Sequence, residues 1–128
     1  LAKPADKTVY RNYLKKAEEM LDVAKHSASK SRNTSAVTNA IHSAINAIDA
    51  LAVFYVGKRH SGRHEDAIDL IRGALSESEF KEVKKQFSGL IELKNEAEYQ
   101  PYLMQKQQAD DAVKRASRIL AKVMEKVK

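Results

Sequence analysis

Apolar residues recur three and four positions apart from Val9 to Val127, and this helical period most constrains what the chain can fold into. Four glycines and two prolines in 128 residues leave little to interrupt it, and no alternating strand pattern stands out. The spacing predicts a first helix from about Asp6 to Ala28, with Val9, Tyr13, Ala17, Met20, Leu21 and Ala24 inward. The polar stretch SASKSRNTS ends it. A second helix starts at Thr34 or Ser35, either of which can cap it. It carries Val37, Ala40, Ile41, Ala44, Ile45, Ile48, Leu51, Ala52 and Tyr55, and Gly57 closes it as a left-handed cap.

The connector KRHSGRH leads to a short third helix over about 62–75, with Ala67, Ile68, Ile71 and Leu75 inward. Ser76 and Glu79 read as a capping box for a fourth helix. That helix runs through Phe80, Val83, Phe87, Leu90 and Ile91 to about Gln100, where Pro101 stops it. A fifth begins after Tyr102 and holds Ala109, Ala112, Val113, Ala116, Ile119, Leu120, Val123, Met124 and Val127. Asp110 and Asp111 are read as complementing its dipole. The fold class is therefore all-α: an up-and-down bundle of four long helices plus one short helix, in a single domain over 1–128. A helical hairpin array and a bundle completed by dimerisation fit the same periods.

The absence of cysteine excludes a disulfide framework and any thiolate ligand or nucleophile, and fits a cytoplasmic protein. No uninterrupted apolar run approaches the ~20 residues of a membrane span. The N-terminal stretch shows no apolar core of a secretory signal, although the chain starts with Leu rather than Met. The net charge is +6. Residues 1–35 carry eight Lys/Arg against four Asp/Glu, residues 36–75 four against four, and residues 76–128 eleven against nine. That balance suits either a polyanionic partner or a dispersed, well-solvated lysine surface.

Three groups of residues can carry chemistry. On the fourth helix the apolar stripe continues at the same spacing into Lys94, Asn95 and Glu98, with Tyr99 one turn past Asn95. Such groups either find partners, line a cleft, or sit where the helix has left the core. On the second helix Asn39, His42, Asn46 and Asp49 form a polar stripe beside the apolar one. A neighbouring helix can bring it against Lys94, giving a Lys–Asp pair and an imidazole that exchanges protons near neutral pH. A solvated flank fits it as well. The third group, Lys58, Arg59, His60, Arg63 and His64, crowds basic side chains at a helix start. Arg59, Arg63 and His64 are its phosphate-contact candidates, against a plain solvated turn. No metal site is expected, because His60 and His64 lack a completing carboxylate and His26 and His42 lie elsewhere. No serine sits in a glycine-flanked elbow.

The order of NAIHSAINAIDALAVFYVG, a basic turn with a short helix, FSGLIELKNEAEYQP and an alanine-rich last helix resembles the HEPN domain family. The likeness spans about 35–127, with the first helix fitting in length. It implies a dimeric bundle of four or five helices. Ribonuclease members carry an Arg, a polar residue, and a His four to six positions on, and cleave RNA without metal at the ribose 2′-hydroxyl. Here Lys94 and Asn95 stand where the Arg and its follower are expected, and the window Glu96 to Pro101 contains no histidine. Lysine holds phosphate as a point charge rather than a fork, and KNEAEY is closer to relatives ending in Asp/Glu-Tyr.

The resemblance thus implies a nucleotide- or RNA-binding and partner-binding homodimer, non-catalytic alone and without a cofactor. It also implies pairing with a minimal nucleotidyltransferase in a toxin–antitoxin-like system. Lys94, Asn95, Glu98 and Tyr99, with Asp49, Asn46 and His42 opposite, are the expected ligand contacts. The alternatives are a metal-independent endoribonuclease rewired around Lys94 and His42, and a structural dimerisation scaffold.

Overall fold

The computed structural model describes residues 2–4, 6–60 and 64–128. Its helices are α1 (Tyr10–Ser29), α2 (Asn33–Val56), α3 (His64–Leu70), α4 (Glu77–Tyr99) and α5 (Lys106–Lys126). Short 3-10 turns cover Lys7–Val9 and Arg72–Ala74. The architecture is the expected all-α bundle of four long helices and one short one, with α2 packed against α1, α4 and α5.

Small residues explain why α2 is central. Ala36, Ala40, Ala44, Ala47 and Ala50 are fully buried, and the Ser43 hydroxyl donates to the Ala17 carbonyl of α1 at 2.7 Å. Without bulky side chains at these positions the backbones approach closely, while Ile41, Ile48 and Leu51 fill the interior with Phe87, Leu90 and Ile119. At the α4–α5 seam the guanidinium of Arg115 lies over Gly89, where a Cβ would come within 2.4 Å of it. Arg115 is held there by Asp111 at 2.8 Å.

By length and composition α2 is able to cross a bilayer, with mean hydropathy 1.2 over its most apolar window. Counting uninterrupted apolar runs missed this, because Thr, Asn, His and Ser punctuate the helix. Burial of 72% of that window within the fold accounts for the apolarity.

Several local expectations are corrected. Neither Thr34 nor Ser35 caps α2; both lie inside it, and Arg32 is the N-cap. The Thr34 hydroxyl instead accepts from the Met104 amide at 3.0 Å, so a tertiary contact took the group that the local signal assigned to capping. α1 starts later than expected because Asp6 caps the 3-10 turn, accepting from the Thr8 amide. Tyr55 and Met124, placed inward by period, are exposed, at 46% and 42%. Asp110 and Asp111 sit in the second turn of α5 and pair with Lys106 and Arg115 rather than with the helix end.

The basic connector is not simply a turn. Lys58–His60 forms β2, antiparallel to β1 (Ala2–Pro4), with Lys3 opposite Arg59 and Pro4 opposite Lys58. Other signals hold as read. Gly57 caps α2 with φ 67°, and Ser76 and Glu79 form both bonds of the capping box.

Candidate functional site

The bond from Met104 to Thr34 fixes the geometry of the site. It ties the α4–α5 loop to the start of α2, so the C-terminal turns of α4 lie beside the N-terminal turns of α2. Asp49 is fifteen residues further along α2 than Thr34, about 22 Å at the helical rise. The Lys–Asp pair foreseen between the two stripes therefore does not form.

Lys94 bonds Glu98 on its own helix at 2.9 Å, and its ammonium lies 5.9 Å from the Tyr99 ring centre. Its side chain is only 18% exposed. Asn95 and Glu98 are exposed, and Tyr99 is 72% exposed. On α2, Asn46 is half-buried, donates to the His42 carbonyl at 2.8 Å and reaches the Met20 sulfur of α1 at 3.5 Å. His42 is half-buried too.

Asp49 is buried, at 7% exposure. Desolvation pushes its carboxyl up to about 6, and the nearby Arg59 charge pulls the other way. Arg59 itself donates to the Tyr13 hydroxyl at 3.1 Å and lies over that ring. Arg63 and the side chain of His64 lie outside the described residues, so the phosphate-contact group is represented by Arg59 alone. Sequence spacing thus brings Lys94, Glu98 and Tyr99 together, and places Asp49 with Arg59 at the far end of α2.

What spacing alone did not show is the pair of grooves flanking the α4–α5 loop. One, of about 470 Å³, is lined by Glu96, Gln100, Tyr102, Leu103, Met104, Gln105 and Gln108. The other, of about 380 Å³, lies across Leu103 and Met104 against Ser31, Arg32, Asn33, Thr34 and Ser35. Glu96 accepts from the Gln108 amide at 3.0 Å, linking α4 to α5 at the first groove. In the second, Asn33 Oδ1 is buried without a hydrogen-bond partner among the described residues. Such an acceptor costs about 1–3 kcal/mol.

At about 100° per residue, Glu96 and Gln100 fall on the opposite side of α4 from Lys94 and Glu98, with Asn95 and Tyr99 between. Tyr99, Tyr102 at 71% exposure and Leu103 at 79% therefore stand on the rim joining a cation to an amide-lined groove. The clue was in QPYLMQKQQ, where a proline and a run of amides separate two helices, but the loop has no period from which to read a face.

Among the described residues, no three His, Asp or Glu side chains cluster in a way that would hold a metal ion. A cation, amides and exposed rings can bind an anionic, planar ligand through charge, hydrogen bonds and stacking. Lys94 is ion-paired to Glu98 on its own helix.

A comparison with curated proteins finds no match. The family model for the HEPN domain matches residues 10–127, covering α1 through α5 and leaving β1 outside. That assignment carries a nucleotide- or RNA-related function at the level of the family. With nearly the whole helical chain inside the match, the protein belongs to the HEPN domain family.

Proposed function

We propose that the α4–α5 end of the bundle binds nucleotide or RNA, that two copies bring these ends together in a homodimer, and that the domain is non-catalytic by itself. The observation that carries this reading is the rim of Tyr99, Tyr102 and Leu103, exposed between Lys94 and the grooves. An exposed apolar and aromatic rim beside these grooves supports a binding surface over an ordinary helix end. Bases stack on the tyrosines, Arg32 supplies positive charge, and the amides of Gln100, Gln105 and Gln108 offer donors and acceptors to base edges. A minimal nucleotidyltransferase is the partner protein that the family resemblance favours, in a toxin–antitoxin-like pair.

Fluorescence anisotropy with labelled RNA and with nucleoside triphosphates tests the binding. Replacing Tyr99 and Tyr102 by alanine together is expected to weaken RNA binding by about 1–3 kcal/mol per stacked base. Unchanged affinity would refute the site. Incubation with RNA in EDTA is expected to leave the RNA intact. Cleavage that both Lys94→Ala and His42→Ala abolish would establish the endoribonuclease alternative. Light scattering of the eluted species checks the dimer.

A further inference from the structure

A second concentration of cations lies at the other end of α2, where the site above has no part. The Tyr10 ring meets Phe54 edge-on at 4.9 Å between centroids, setting the start of α1 against the last turns of α2. The length of α2 puts about 36 Å between this corner and the α4–α5 end. A cleft of about 210 Å³ opens there, lined by Lys7, Thr8, Tyr10, Arg11 and Phe54. Lys7 and Arg11 are exposed, and the Arg11 guanidinium lies 5.6 Å over the Tyr10 ring. β2 adds Lys58 and Arg59, both exposed.

The register of the ribbon sets Lys3 opposite Arg59. Acids also lie near this corner: α3, packed against β2, carries Asp66 and Asp69, and Asp49 faces the Arg59 charge. Asp6 is engaged by the Thr8 amide and hydroxyl, and Asp49 is buried. β1 and the 3-10 turn that carries Lys7 precede the residues that match the family, while Tyr10, Arg11, Phe54, Lys58 and Arg59 lie within the match.

We propose that this corner is a second docking surface, for single-stranded nucleic acid, with a base against Tyr10 and Phe54 and phosphates on Lys7, Arg11, Lys58 and Arg59. Cations beside an aromatic floor are the chemistry of single-strand binding. An acidic peptide would use the cations but leave the rings without a role. The surface stands on residues separate from the α4–α5 end, so either can fail without the other.

The test is anisotropy of a labelled oligouridylate with the full chain over a salt series. One variant neutralises Lys7, Arg11 and Lys58 to glutamine. A control neutralises the exposed Lys25, Lys84 and Lys114, matching the change in net charge. The corner variant is expected to weaken binding and to flatten the slope of log K against log salt by about 2, near 0.7 per lost phosphate contact. The control keeps the wild-type slope. Phe54→Leu, checked by circular dichroism to be folded, weakens oligouridylate more than inorganic polyphosphate, which has no bases. Equal effects of the two triple variants overturn the proposal. So does loss of binding only in the Tyr99→Ala/Tyr102→Ala variant, which leaves the α4–α5 reading standing. A corner variant that loses binding to polyglutamate or anionic vesicles but not to oligouridylate overturns it as well, and so does the absence of salt-dependent binding by the wild-type chain.

Discussion

The two ends of the α4–α5 pair are both rich in polar residues and behave differently. Where α4 begins, Glu79 closes the capping box with Ser76 and takes Lys122 at 3.2 Å and Lys126 at 2.9 Å from the end of α5. Where α4 ends, the Gln108 amide joins the Glu96 carboxylate, Lys94 and Lys106 pair within their own helices, and three large apolar or aromatic side chains stay in solvent. Polar residues whose charges are answered within the fold are holding it together. Polar residues left facing outward beside exposed rings are available to something else.

The largest expected effect breaks the first end. Phe80 is buried there with the Arg72 guanidinium 4.1 Å over its ring, and Phe80→Ala is expected to cost about 3–5 kcal/mol in urea unfolding. A loss below 1 kcal/mol would mean that this end is as loosely packed as the other.

Asp49 gives the next effect. Its folded-state carboxyl is raised to about 6 from an ordinary 3.8, so the folded chain holds a proton that the unfolded chain releases. Stability from this group is full below about 3.8 and declines as pH rises through about 6. Asp49→Asn is therefore expected to stabilise the fold by roughly 1–3 kcal/mol at pH 8 and to change little at pH 4. A stability gain of the same size at both pH values would contradict the assignment.

At the capped end, Ser76→Ala is expected to cost about 1 kcal/mol. Glu79 works in the opposite pH sense from Asp49. The Ser76 amide, then Lys126 and Lys122, hold its carboxyl down to about 2, below the ordinary 4.5. The stability it contributes is present above 4.5 and disappears as pH falls toward 2, and Glu79→Gln should remove that acid limb from a pH series of urea midpoints. The smallest effect sharpens the contrast: Leu103→Ala is expected to shift stability by no more than about 0.5 kcal/mol, as exposed side chains do.

Most of the fold was legible because helices report themselves through period, and because Gly57 and the Ser76–Glu79 box are local signals that the structure keeps. Thr34 misled for the opposite reason: its hydroxyl was drawn into a contact seventy residues away. The ribbon was invisible, since three-residue strands have no period to detect and their pairing joins the chain's first residues to its middle. At the candidate site, Lys94, Glu98 and Tyr99 were readable as one face of a helix. The partner of Asp49 was not, because which end of α2 meets α4 depends on where the loop is tied.

That tie has a calorimetric consequence. The loop bearing Tyr102 and Leu103 is fastened through the Met104 amide to α2, and Met104 itself is buried. A segment already fastened at its midpoint surrenders little conformational freedom when a ligand settles on it. Binding at this ledge should therefore show a small ordering penalty, and Thr34→Val, which removes the fastening hydroxyl, should worsen the entropy of association more than its enthalpy.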